Sequence, residues 1–221
     1  MQKFLPVLKK CPLFSGLDEK EVMDVLRCLG AQKKEYPKGE AILSEGDAAK
    51  QLGIVLSGCV RVVREDYFGN RSIMTKLSAG HLFAEAFACA GNMRMPVNVV
   101  ADEQAEILLI DAQRVMHTCN SACDFHTRLI YNLMKILAVK NIVCQEKIEV
   151  TSRRSTREKL LAYLMICAKK AGSNRFTVPF DRQELADYLE VDRSGLSAEI
   201  SKLRKEGVIQ CERSHFALLK E

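Results

Sequence analysis

No two of the nine cysteines in this 221-residue chain stand in a C-x-x-C pair. That removes the usual ligand pattern of a zinc ribbon and the thioredoxin redox motif. Nine is odd, and Cys11, Cys28, Cys59, Cys89, Cys119, Cys123, Cys144, Cys167 and Cys211 are scattered, which suits no disulfide framework. The N-terminal part offers only Cys11 and Cys28, short of the roughly four thiolates that hold an iron–sulfur cluster. The longest apolar run, LLAYLMICA (Leu160–Ala168), has nine residues, where a membrane span takes ~20. The opening MQKFLPVLKK lacks the apolar centre of a secretory signal. A cytoplasmic protein without a membrane partner is therefore expected. Histidine is scarce as well: the stretch 31–110 holds His81 alone and no H-x-H. A β-roll enzyme of cupin type, the alternative from a different function class, lacks its metal cluster here. No Ser/His/Asp set or paired-carboxylate site is visible, so neither an enzyme nor a bound cofactor or metal is expected. His81, His117 and His126 stand singly and read as structural histidines.

What is present falls into three stretches. Between about 31 and 110, short apolar runs (GEAILSEG, LGIVLSG, CVRVVRE, SIMTKLSAG, VNVVAD, AEILLID) alternate with Gly39, Gly46, Gly53, Gly58, Gly69 and Gly80. That rhythm predicts many short strands closed into a barrel or jelly roll. A short helix precedes them, started by a capping box at Asp18 and Glu21 and stopped at Gly30. Neither Gly nor Pro occurs between Val97 and Ala171, so one long helix is allowed over about 112–148. Leu129, Ile130, Leu133, Ile136, Leu137, Val143 and Cys144 form an apolar stripe on it. Leu129, Leu133, Ile136 and Val143 fit heptad a/d positions, with Lys140 in the missing one. The stripe is wider than one packed surface needs, which favours a helix shared with a second copy over an ordinary core helix.

The third stretch carries the basic excess: from Thr151 onward fourteen Lys and Arg face ten Asp and Glu. Within it, ELADYLEVDRSGLSAEISKL keeps helical spacing on both sides of an interruption at Glu190-Val191-Asp192. Asp181-x-x-Glu184 predicts one helix from Arg182, with Leu185, Ala186 and Leu189 inward, and Asp192 caps a second from Arg193, burying Leu196, Ile200 and Leu203. Two helices and a turn, followed by the hairpin VIQCERSHFALLK, make a winged helix-turn-helix. The outer face of the second helix carries Arg193, Ser194, Ser197, Ala198, Ser201 and Lys202. Small side chains allow close approach to a major groove, and an arginine can bond guanine at two points. Arg182 and Gln183 begin the first helix, where backbone N–H groups assist a phosphate grip. The competing reading is a solvated surface helix, which would carry Glu along that face; only Glu199 stands near, at its edge.

Over almost its whole length the chain resembles the CRP/FNR (cyclic-AMP receptor protein and fumarate-nitrate regulator) family of bacterial transcription regulators. PLFSGLDEKEV, YPKGEAILSEGD, LGIVLSGCVRV, GNRSIMTKLSAGHLFAE and, most specifically, RQELADYLEVDRSGLSAEISKLRKEGVI carry the resemblance. It implies an α+β chain: a sensing β-roll (a double-stranded β-helix, cyclic-nucleotide-binding-like) over 1–111, a dimerisation helix with its hinge over 112–150, and a winged helix-turn-helix over 151–221. It implies a homodimer on double-stranded DNA with a palindromic operator, and RNA polymerase as a further partner. Arg193 and Ser194 are base readers by that match, and Ala198 stands where cyclic-AMP receptors carry a second base-contacting arginine.

Cyclic-nucleotide binders of the family have F-G-E-L and then Arg-Ser/Thr-Ala around the cyclic phosphate. Here Phe83-Ala84-Glu85-Ala86 replaces the first, and Met95 and Pro96 fall at the Arg and Ser/Thr, unless a one-residue slip brings in Arg94. Val143 and Cys144 replace the dimer-helix hydroxyls that recognise adenine. A cyclic phosphate would have no cation, and burying it unpaired costs several kcal/mol, about 3–5 for a lost charge partner. The expectation is a small, apolar or weakly charged effector held by Phe83, Glu85, Met95, Asn98, Val143 and Cys144, acting through a hinge near Glu149–Ser155. Cys119 and Cys123, one helical turn apart, offer a redox alternative.

Overall fold

Alternation along two strands explains how the first half is layered. The computed structural model describes residues 1–65, 71–91, 93–117 and 124–219; the Cys119/Cys123 pair lies outside them. The chain divides into two compact units, Met1–Val139 and Lys140–Glu221. The first opens with α1 (Leu5–Leu8) and α2 (Glu19–Cys28). The Asp18 carboxylate accepts from the Glu21 N–H at 2.8 Å, and the Glu21 carboxylate from the Asp18 N–H at 2.9 Å, so the capping box closes as read. Then come β1 (Gln32–Tyr36), β2 (Ala41–Leu43), β3 (Gln51–Ser57), β4 (Cys59–Glu65), β5 (Arg71–Ser78), β6 (Leu82–Phe83), α3 (Glu85–Ala90), β7 (Asn98–Ala101), β8 (Ala105–Asp111) and α4 (Ala112–Met116).

These strands form two antiparallel sheets, ordered β1-β8-β3-β6 and β2-β7-β4-β5. The central strands of the first are buried on both faces, as successive side chains point opposite ways. Leu52, Ile54 and Leu56 of β3 with Leu108 and Ile110 of β8 join a core built with the helices. Val55, Ile107 and Leu109 turn the other way, into a core shared with Ile42, Val60, Val99 and Ala101 of the second sheet. The second core is the interior of the roll.

α5 (Asp124–Thr151) runs unbroken from the first unit into the second. Leu129 and Leu133 are buried in the helical core of the first unit, and Ile136 packs against it. Asn132 donates to the Leu13 and Ser15 carbonyls at 3.0 and 2.8 Å, and Arg128 pairs with Glu21 at 2.6 Å. Three of the four residues read as an a/d seam thus serve the chain's own core. The opposite side of α5 instead exposes Tyr131, Met134 and Ile142.

The second unit holds α6 (Thr156–Ala171), β9 (Arg175–Thr177), α7 (Arg182–Leu189), α8 (Arg193–Lys205), β10 (Ile209–Glu212) and β11 (His215–Leu218), its sheet ordered β10-β11-β9. Ser155 caps α6 in a box with Glu158, and Gly172 ends it at φ +59°, a left-handed conformation that favours glycine. Val150, Leu160, Leu164, Leu185, Leu189, Leu196, Ile200, Leu203 and Ile209 share one core. None of the described helices is long and apolar enough to cross a membrane, and no described cluster of His, Cys, Asp and Glu could hold a metal.

Candidate nucleic-acid interface and effector pocket

An acidic cap starts each helix of the pair. Asp181 and Glu184 close a capping box at the start of α7, with both bonds at 2.8 Å. α7 ends at Glu190, whose φ of 53° makes the turn, and two residues later the Asp192 carboxylate accepts from the Ser194 and Gly195 N–H groups at 2.9 and 3.1 Å. The same carboxylate also accepts a hydrogen bond from the Ser194 hydroxyl, so that side chain is committed to the cap. These bonds hold the Asp192 carboxyl below the usual carboxylate range, the Ser194 hydroxyl contributing most.

With Leu196, Ile200 and Leu203 buried beneath α8, Arg193, Ser194, Ala198, Ser201 and Lys202 are exposed and Ser197 is half-buried. The Ser201 hydroxyl donates back to the Ser197 carbonyl at 2.9 Å. Gln183 is exposed and donates to the Asp187 carboxylate at 2.8 Å. Arg182 is half-buried, with Nη2 3.5 Å from the Cys211 Sγ and its guanidinium 5.9 Å from the Phe216 ring. The structure therefore brings the eight residues read from sequence to one helix pair, though the side chains of Arg182, Gln183, Ser194 and Ser201 already hold intramolecular bonds.

Other side chains fix this surface from a distance. Arg157 on α6 reaches Glu199 at 3.2 Å and Glu206 at 2.5 Å, tying α6 to the middle of α8 and to its C-cap. Lys159 donates to the Leu189 and Glu190 carbonyls at 3.2 and 3.3 Å. Arg175, Arg204 and His215 line a concavity of about 810 Å³ on the outer face of the wing sheet. Sequence reading missed all of these, because each acts across 30 or more residues or through strand pairing, and neither leaves a local motif.

In the β-roll, Phe83 and Met95 meet in the interior core, only 3% and 2% exposed. Gly53 allows this: a Cβ there would fall inside the Phe83 ring. Glu85 is buried in the first turn of α3, and the Asn98 side-chain oxygen accepts from the Glu45 N–H at 2.9 Å. Arg94 is exposed and donates to the Gly46 carbonyl at 2.6 Å. Val143 and Cys144 lie exposed on α5, within the second unit.

Residues 33–122 match the cyclic nucleotide-binding domain model and residues 158–221 the Crp-like helix-turn-helix domain model. The chain is 26% identical over 203 residues to the cyclic AMP receptor protein of Thermus thermophilus, covering 92% of this chain and 90% of that one. It is 22% identical over 204 residues to the transcriptional activator protein FnrA of Stutzerimonas stutzeri, covering 89% and 80%. The solved structure of the c-di-GMP responsive global regulator CLP of Xanthomonas campestris shares the fold, with a TM-score of 0.55 at 18% identity over 92% of this chain and 100% of that one. Two domain models in the expected order, a capped helix-turn-helix with its wing, and relatives along nearly the full length agree: the chain belongs to the CRP/FNR family of transcription regulators.

Proposed function

We propose that this regulator works as a homodimer that reads a palindromic operator with α8 and answers to a small effector other than a cyclic nucleotide. The exposed face of α8, with Arg193, Ala198, Ser201 and Lys202 above a fully apolar underside, carries the reading. A helix so built enters a major groove, and a dimer sets its two copies ~34–36 Å apart. Tyr131, Met134 and Ile142, exposed on one side of α5, supply an apolar row for the second copy.

The effector half of the proposal rests on Met95. By the resemblance Met95, whose thioether is buried, falls at the phosphate-pairing arginine; Pro96 beside it has no N–H to donate, and Arg94, the alternative by a one-residue slip, is exposed and donates to the Gly46 carbonyl. A phosphate in that apolar core would lose its hydration without gaining a cation. Phe83, Glu85, Met95 and Asn98 remain the side chains around which the effector is sought. RNA polymerase is the further partner that fits an operator-bound regulator.

Random-site selection on purified protein, followed by titration of the selected duplex, tests the DNA half; recovery of an inverted repeat is expected, and no enrichment overturns it. Calorimetric titration with cyclic AMP, cyclic GMP and c-di-GMP tests the other half; saturable binding of any of them at micromolar concentration overturns it.

A further inference from the structure

Glu146, Lys147 and Val150, in the last turns of α5, each contact other elements of the second unit. Val150 is fully buried beside Leu160, Leu185 and Leu189. Glu146 accepts from Lys170 of α6 at 2.5 Å. Lys147 donates to the Tyr188 carbonyl, lies 4.4 Å from the Tyr188 ring centroid and stands 3.4 Å from the Glu190 carboxylate. Tyr188, Leu189 and Glu190 end α7, where unsatisfied carbonyls and the negative end of the helix dipole favour a cation. Lys159 of α6 caps the neighbouring carbonyls. The same three residues open the turn that aims α8, since Glu190 is its left-handed corner and Asp192 its cap.

The connection after α5 leaves little slack. The Ser152 N–H reaches the Ile148 carbonyl at 2.9 Å, and the Arg153 N–H reaches that of Val150 at 3.3 Å. The Arg154 and Ser155 N–H groups both donate to Glu158, at 3.2 and 3.1 Å. The stretch read as a hinge from sequence is hydrogen-bonded throughout.

We propose that Lys147 is a positioning residue for operator reading: it bolts the end of α5 to the corner of the helix-turn-helix, so that recognition-helix placement follows α5. The proposal rests on the dimeric DNA-binding reading above and adds to it the residue that transmits spacing. Lys147 touches no base; it acts through Tyr188 and Glu190 on the aim of α8.

The test uses the full chain, the selected operator, and versions of that operator with the half-sites moved one to three base pairs apart or together. Wild-type protein is expected to lose roughly 10²-fold in affinity when spacing forbids both half-sites at once. Lys147→Met keeps the aliphatic stem over Tyr188 but removes the charge and the donor. It should flatten that loss to about threefold while leaving base preference within a half-site unchanged, and Lys147→Arg should restore most of the discrimination. Lys159→Met, which uncaps the same turn from α6 without touching α5, should weaken binding by one factor at every spacing. If Lys147→Met does not fold, Glu190→Gln removes only the ion pair and should flatten the profile to a lesser degree. A Lys147→Met protein that keeps the wild-type spacing ratio, or loses affinity equally at all spacings, overturns the clamp alone. A wild type indifferent to spacing overturns the clamp and the dimeric reading. A wild type that prefers no duplex overturns the DNA-binding reading first and the clamp with it.

Discussion

Ala84 holds φ at 61° as the cap before α3, a left-handed conformation in which a Cβ crowds the following carbonyl. Each such residue costs ~1–2 kcal/mol relative to its ordinary conformation, and glycine escapes that cost. Ala84→Gly should therefore raise the stability of the β-roll by about 1 kcal/mol, read as a higher urea midpoint with an unchanged slope; an unchanged midpoint means the strain is relieved locally. The sequence showed that glycine is missing from the F-G-E-L position, but only the backbone shows that the turn stayed and the alanine bears it. Arg193 is the residue-scale test of base reading. Arg193→Ala should cost ~1–3 kcal/mol of operator affinity and relax preference at one base pair. Equal losses on operator and random duplex would make it a phosphate contact instead. Ser194→Ala should cost less than Arg193→Ala in the same titration, because the Ser194 hydroxyl is already held by Asp192.

At the scale of elements, legibility followed the range of the interaction. The boundaries of α2, α7 and α8 were readable because a cap is a contact between residues two or three apart: Asp18 with Glu21, Asp181 with Glu184, Asp192 with Ser194 and Gly195. The partner of each face of α5 was not readable. Helical periodicity marks Leu129, Leu133 and Ile136 as apolar, but whether α2 or a second copy covers them is a tertiary fact. A like case is Glu106 on β8, which ties three separate segments. Lys33 on β1 approaches at 2.8 Å, Ser57 on β3 at 2.9 Å, and Lys3 before α1 at 3.1 Å. These partners, Lys33 above all, pull the Glu106 carboxyl from 4.5 down to about 2. A carboxylate depressed on folding stabilises the fold above its unfolded value and ceases to as pH falls through the folded one. The stability of the β-roll should thus decline between pH about 4.5 and about 2, and Glu106→Gln should flatten that part of the profile. Unfolding midpoints at several acid pH values decide it: equal slopes in both proteins would show that other carboxylates set the acid limit.

For the whole molecule, the proposed function needs two copies of α8 held in register, so the surface that would pair the copies matters as much as the surface that would meet DNA. Tyr131, Met134 and Ile142 are large, apolar and exposed on one side of α5, whose other side enters the chain's own core at Leu129, Leu133 and Ile136. Large apolar groups left exposed along a helix call for a partner. Ile142→Glu places a charge at the C-terminal end of that row without touching the buried cores. The wild-type chain should sediment as a dimer, and the variant as a monomer at the same concentration. It should lose affinity for the full palindrome by roughly 10²–10⁴-fold, since the second half-site is then bound independently rather than within one complex. An isolated half-site should be bound by both proteins alike, because Arg193 and its neighbours are untouched. A variant that still sediments as a dimer would move the subunit interface off this side of α5. A monomer that binds the palindrome as tightly as the wild type would show that each recognition helix works alone, and that the regulator reads half-sites rather than repeats.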